Sequence, residues 1–272
     1  MVRFGNYSFD TGKKTNVMGI LNITQDSFYD GGKYNSLDTA LNHYLEMIDD
    51  GADIIDIGAQ STRPGHISIT AEEELSIVKQ YLPYLYNKMN FCISIDTFYP
   101  EVAKYALDNG ASIINDVSGK FNPEMAKIVR EYKCGWIITH TAESDSSHPV
   151  EYKEGVISAV NGFIDDMTDK LISASIDLDQ IVFDPGIGFG KTCDDDLIIL
   201  KEFDKLNHNR PLLLACSNKR VIGYLSCADI NNRLYGTVAA NVSSVLKGAD
   251  FIRVHDVKAN KLAVSLADVL RS

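Results

Sequence analysis

The stretch Gly110-Ala111-Ser112-Ile113-Ile114-Asn115-Asp116-Val117-Ser118-Gly119 decides the fold. Glycine just past a helix adopts the left-handed conformation that closes it, so Gly110 marks the end of a helical segment. Ser112–Asn115 reads as a short strand with apolar residues on both faces, and polar side chains stand where it ends. The same joint recurs at Gly51-Ala52-Asp53-Ile54-Ile55 and at Gly248-Ala249-Asp250-Phe251-Ile252.

Outward from these joints the chain alternates two textures. Short apolar runs predict strands at Val17–Leu21, Ile54–Ile57, Phe91–Ile95, Ser112–Asn115, Trp136–Thr139, Ile181–Phe183, Pro211–Ala215 and Phe251–Val254. Segments with three- and four-residue spacing predict helices at Ser36–Asp50, Thr70–Tyr86, Pro100–Asn109 and Glu154–Ser175. In the first of these, Leu37, Ala40, Leu41, Tyr44, Leu45 and Ile48 line one face.

Strands alternating with helices form either a closed barrel or an open doubly wound sheet. An open sheet gathers its ligands at one switch point, whereas nearly every strand here ends in polar groups. The first strand also lacks a Gly-x-Gly-x-x-Gly turn. The expectation is a single-domain (β/α)8 TIM barrel over residues 1–272, a length near the roughly 250 typical of that fold.

Bulk properties exclude several functions. The net charge of -11 and the lack of a basic stripe argue against nucleic-acid binding. No apolar run approaches the ~18 residues of a membrane span, and the start Met1-Val2-Arg3-Phe4-Gly5 lacks the apolar stretch of a signal peptide. The five cysteines are odd in number and form no C-x-x-C pair, which predicts reduced thiols and a cytoplasmic protein.

The strand ends predict the chemistry. Asn22 opens a loop carrying Asp26 and Phe28 and ending in Gly31-Gly32, which could close over a substrate. After the second strand come Ser61, Thr62 and Arg63, a set suited to a phosphate or carboxylate. Asp96, Asn115 and Asp184 end three other strands and face a common mouth. Buried carboxylates need partners, and a flat ligand rich in N–H donors would supply them. Lys219, Arg220, Arg253 and His255 form a basic half, with Arg63 opposite, so the ligand should also carry an anion. His140 at a strand end reads as a lone polar residue at the rim. The run Gly186-Ile187-Gly188-Phe189-Gly190-Lys191-Thr192 ends like a nucleotide-binding loop, but Pro185 stands where that motif needs glycine, so an NTPase is rejected.

In their order and spacing these motifs resemble the dihydropteroate synthase family. The matching stretches are Met18–Thr24, Asp26-Ser27-Phe28, Gly51–Gly58, Ser61–Gly65, Ile95-Asp96-Thr97, Ile113–Gly119, Asp184–Thr192, Lys219 and Arg253-Val254-His255-Asp256. The resemblance implies an enzyme that joins 6-hydroxymethyl-7,8-dihydropterin diphosphate to 4-aminobenzoate with loss of pyrophosphate. It implies that Asp96, Asn115, Asp184 and Lys219 bind the pterin, and that Arg253 stacks on the ring and faces the diphosphate. Asn22, Arg63 and His255 would hold the diphosphate, with Mg2+ beside Asn22. The loops of Asp26, Phe28 and Thr62 would form the aminobenzoate pocket, with Ser217 and Arg220 receiving its carboxylate. Asp26, Lys219, Asp96 and Arg63 would carry catalysis, and a homodimer would form through late helices, for which the apolar segment Asn241–Leu246 is a candidate.

The chain departs from the family pattern at Gln25, where Pro is usual, at Ala59-Gln60, where Gly-Glu is usual, at Asn218, where Arg is usual, and after His140. Two alternatives therefore stay open at this point. One is a pterin-binding homologue without synthase activity. The other is a methyltetrahydrofolate-dependent methyltransferase, which has no need of Asn22, Arg63 and His255.

Overall fold

The structure is a computed structural model that describes residues 1–23, 36–60, 69–142, 150–207, 209–226, 229 and 232–271. Eight parallel strands build the barrel: β3 (Asn16–Asn22), β4 (Ile54–Gly58), β5 (Ile93–Asp96), β6 (Ile113–Asp116), β7 (Gly135–Thr139), β8 (Ile181–Asp184), β9 (Leu213–Leu214) and β10 (Phe251–Val254). Neighbours run in the order β8-β7-β6-β5-β4-β3-β10-β9. The circle closes where Phe183 pairs with Leu212 and its N–H donates to the Pro211 carbonyl at 3.0 Å. β9 is shorter than the expected Pro211–Ala215, because regular pairing with β10 spans only Leu213 and Leu214.

The outer ring contains α1 (Ser36–Asp49), α2 (Ala71–Lys88), α3 (Pro100–Asp108), α4 (Pro123–Tyr132), α5 (Val156–Ser173), α6 (Cys193–Lys201), α7 (Arg220–Ser226), α8 (Leu234–Leu246) and α9 (Val257–Arg271). Thr70 starts α2 with a capping box: its hydroxyl accepts from Glu73 N–H, and the Glu73 carboxylate accepts from Thr70 N–H. Gly51, Gly110 and Gly248 adopt φ of 93°, 105° and 102°, so the three joints are indeed left-handed helix ends.

Strand residues alternate between two cores. Ile55, Ile57, Ile95, Ile114, Ile138, Phe183 and Ile252 face the helices. Met18, Ile54, Cys92, Ile113, Ile137, Val182, Leu213 and Phe251 fill the lumen. Two residues further along a strand the same face recurs. Asp56 therefore stands above Ile54, Asn115 above Ile113, Thr139 above Ile137, Asp184 above Val182 and Arg253 above Phe251, while Asp96 lies two steps above Cys92. The lumen is apolar at its base and polar at its mouth.

An antiparallel pair, β1 (Val2–Phe4) and β2 (Tyr7–Phe9), covers the base. The sequence reading missed it. Phe4, Phe9 and Phe251 pack there with ring centroids 5.3 to 6.1 Å apart. Gly135 makes room, since a Cβ there would lie 2.4 Å from the Phe4 ring.

α8 turns Thr237, Asn241, Ser244 and Val245 inward, and of the Asn241–Leu246 segment Leu246 is exposed. A longer exposed apolar stripe lies on α9, at Leu262, Leu266, Val269 and Leu270. Among the described residues no helix is long and apolar enough to cross a membrane.

Candidate active site

The deepest polar layer of the mouth is a shared ion pair. Arg253 reaches past β3, with Nε donating to Asp56 Oδ2 at 2.6 Å and Nη2 donating to Asp96 Oδ2 at 2.8 Å. Asn115 Nδ2 donates to the same Asp56 oxygen at 2.9 Å. Asp56 Oδ1 is buried and has no partner. Acidic and basic side chains are thus interleaved rather than divided into two halves, and one guanidinium serves two carboxylates. Burial pushes the Asp96 carboxyl up to about 7; Arg253 opposes that rise, and the charges of Asp56, Glu74 and Asp116 add to it.

Asp184 faces the same space from β8. One of its oxygens accepts from Gly186 N–H at 2.7 Å. Burial raises its carboxyl above the usual range, while Lys219 pulls it down. Lys219 follows β9, donates to the Ile187 carbonyl at 2.6 Å, and lies 4.6 Å from the centroid of the Phe189 ring. Burial lowers its ammonium, and Asp184 opposes the fall.

The loop after β8 is braced from inside. Lys191 is 1% exposed, and its ammonium donates to the carbonyls of His140 at 3.0 Å, Gly186 at 2.9 Å and Phe189 at 3.3 Å. A lysine so engaged cannot reach a phosphate, which accounts structurally for rejecting the nucleotide-binding motif. Gly186 has φ 72°, and a Cβ on it would lie 2.0 Å from the His140 carbonyl oxygen. His140 is buried, packed edge-on against Phe163 at 5.1 Å. Burial and the Lys191 charge push its imidazole down to about 3, so it stays neutral.

A third group lies where β9 and β10 end. Ser217 Oγ and His255 Nδ1 are 2.9 Å apart, and His255 N–H donates to Ser217 Oγ at 3.3 Å. Arg220 is exposed at the start of α7 and donates to the Lys191 carbonyl at 3.2 Å. Asn22 ends β3 half-buried; the missing side chain of Gly58 leaves space beside Asn22 Oδ1 and Asp96.

The structure therefore joins Arg253 to Asp96 directly and to Asn115 through Asp56, sets Lys219 against Asp184, and pairs Ser217 with His255. Asp26, Phe28, Thr62 and Arg63 lie outside the described residues. Sequence reasoning missed Asp56 as a site residue. Its signal was an acid between Ile55 and Ile57 in the middle of a buried strand. Of the departures, Gln60 has a buried Oε1 without a partner, and Asn218 sits at φ 58° with its carbonyl accepting from Arg233 Nη1 at 2.8 Å.

The family described as pterin binding enzyme matches residues 18–255. A dihydropteroate synthase of Clostridium beijerinckii is 38% identical over 272 residues, covering 99% of each chain. The crystal structure of a dihydropteroate synthase from Clostridium difficile, determined in the presence of pteroic acid, is 37% identical and superposes with a TM-score of 0.91, covering 97% of this chain and 99% of that one. A dihydropteroate synthase from Xanthomonas albilineans in complex with 7,8-dihydropteroate is 32% identical, with a TM-score of 0.85 over 95% and 94% of the two chains.

Proposed function

The chain belongs to the dihydropteroate synthase family of pterin-binding enzymes, and on that premise we propose how its barrel mouth carries out the transfer. The enzyme condenses 6-hydroxymethyl-7,8-dihydropterin diphosphate with 4-aminobenzoate, giving 7,8-dihydropteroate and pyrophosphate.

The observation that carries the assignment of roles is the polar layer of Asp56, Asp96, Asn115, Asp184 and Arg253 above an apolar lumen. Buried carboxylates and an amide in one layer match the N–H and ring-nitrogen edge of a pterin. Asp96, Asn115, Asp184 and Lys219 hold that edge. Arg253, fixed by two carboxylates, offers its guanidinium plane to the ring face and its positive charge toward the diphosphate. His255, with Ser217 bonded to it in place of the aminobenzoate contact expected of that serine, meets the diphosphate from the far rim, together with Asn22 and Arg63.

The reaction is a displacement at the pterin methylene. The aminobenzoate nitrogen supplies the electron pair for the new C–N bond, the C–O bond breaks, pyrophosphate leaves with the C–O bonding pair, and the amine gives up a proton. The protein forms no covalent bond. Asp26, carried in the loop after β3, stabilises the positive charge that develops at the methylene, and Phe28 and Thr62 enclose the second substrate. The aminobenzoate carboxylate lies toward Arg220 at the exposed end of α7.

Mg2+ fits the donor set. The amide oxygen of Asn22, at the mouth beside Gly58 and Asp96, would hold the ion, and diphosphate oxygens and water would complete its shell. When bound, the ion neutralises charge on the leaving group. The protein works in the cytoplasm, supported by the free thiols of Cys92, Cys134, Cys193 and Cys216, and forms a homodimer through the α9 stripe.

Pyrophosphate release from the purified enzyme with Mg2+, measured with and without 4-aminobenzoate, tests the reading. Release should depend on 4-aminobenzoate and fall by about a hundredfold or more in Lys219→Ala, which removes a cation from the pterin wall. Tight binding of the pterin diphosphate without any release would identify a binding protein instead.

A further inference from the structure

A row of buried amides ties the ends of β9 and β10 together from behind. Cys216 Sγ donates to Asn241 Oδ1 at 3.3 Å. Asn241 Nδ2 donates to Asn260 Oδ1 at 2.8 Å, and Asn260 Nδ2 donates to the Asp256 carbonyl at 2.8 Å. The row begins at the residue before Ser217, crosses one side chain on α8 and one on α9, and finishes at the residue after His255. Cys216, Asn241 and Asn260 are all 0% exposed. A second tie runs beside it, where Asn218 N–H donates to Thr237 Oγ1 on α8 at 3.2 Å.

The direction of the row is fixed. Burial pushes the Cys216 thiol up to about 12, so it keeps its proton and acts as the donor. Asn241 must then turn its oxygen to Cys216 and its nitrogen to Asn260, which in turn aims the Asn260 nitrogen at the Asp256 carbonyl. Two apolar side chains of similar volume would pack α8 against α9 about as well. Amides add a condition that apolar packing lacks. A slide of one helix past the other breaks bonds whose partners have no water to replace them.

We propose that Asn241 and Asn260 are positioning residues that set the spacing between Ser217 and His255, and so tune how tightly this corner of the mouth grips an anion. The proposal rests on the synthase reading in naming that anion as the diphosphate of the pterin substrate.

The test compares two ligands that differ only in the diphosphate: 6-hydroxymethyl-7,8-dihydropterin and its diphosphate. Their affinities are measured calorimetrically with Mg2+ on the full-length wild type, on Asn260→Leu, and on the double variant Asn241→Leu with Asn260→Leu. The double variant removes both amides together, orphaning neither against the other, and guards against loss of folding in the single one. The expected result is a loss of about tenfold in affinity for the diphosphate, with the unphosphorylated pterin within about twofold of wild type. KM for the pterin diphosphate should rise in step, while KM for 4-aminobenzoate holds. Unchanged binding of both ligands, or equal weakening of both, overturns the positioning role. A wild type that binds neither ligand overturns the synthase reading and this proposal together.

Discussion

Arg253 illustrates how a single side chain is constrained at the residue scale. Its partners Asp56 and Asp96 lie on β4 and β5, so the guanidinium spans the lumen to satisfy both. The sequence shows the residue types at these strand ends but not their reach, which depends on barrel closure and register. That is why Arg253 reads as half of a basic face, and why Asp56, flanked by isoleucines, was passed over. Glu74 was hidden in a different way. It follows Glu72 and Glu73 and looks like an ordinary acidic first turn, yet it is 1% exposed. Burial pushes its carboxyl from 4.5 up to about 7, the Thr97 hydroxyl opposing and the charge of Glu101 assisting. A carboxyl raised in the folded state favours folding while protonated. Its contribution is full below the unfolded value and is lost as pH rises through about 7. Glu74→Gln should therefore raise stability at pH 8 by on the order of 2 kcal/mol and change little at pH 5, as read from urea midpoints at the two pH values.

At the scale of elements, strands were legible wherever apolar runs of four or more residues ended in polar groups. The boundaries at β4, β6 and β10 fall within one residue of expectation. The three Gly joints were legible because left-handed backbone has few occupants. The bracing of the loop after β8 was not, since nothing in Gly186–Thr192 says that Lys191 folds back onto three carbonyls. That loop is a sharp place to test the site. Gly186→Ala would set a Cβ 2.0 Å from the His140 carbonyl oxygen at a φ of 72°. Relief requires the loop to lift, and the Asp184 contact with Gly186 N–H goes with it. The substitution should destabilise by about 3 kcal/mol or more and cut synthase activity, while Gly162→Ala, inside α5 and meeting nothing within 4 Å, should raise stability by about 0.5–1 kcal/mol and leave activity unchanged. Denaturation and turnover on the two variants make the comparison.

At the scale of the whole molecule, the barrel class followed from eight polar strand ends and a chain of 272 residues. The β1–β2 cover did not, because two three-residue strands around Gly5 carry too little periodicity to register. The exposure of the late helices was equally illegible. Asn241–Leu246 looks apolar in sequence, but α8 turns Asn241, Ser244 and Val245 inward, and an exposed apolar stripe lies on the last helix. Leu266→Asp on that stripe should convert a dimer to a monomer in sedimentation equilibrium; a wild type already sedimenting as a monomer would dismiss the dimer outright. The aromatic cover has one more consequence, for traffic. Phe4, Phe9 and Phe251 stopper the base beneath a lumen filled with side chains, so among the described residues the polar layer opens only toward the mouth. Whatever settles deepest must arrive first and depart last, and a molecule seated nearer the rim blocks the way for everything beneath it. Itinerary follows from plumbing: if, as proposed, the pterin sits on the deep layer, it has to queue ahead of the aminobenzoate, and the joined product has to back out through the entrance both used.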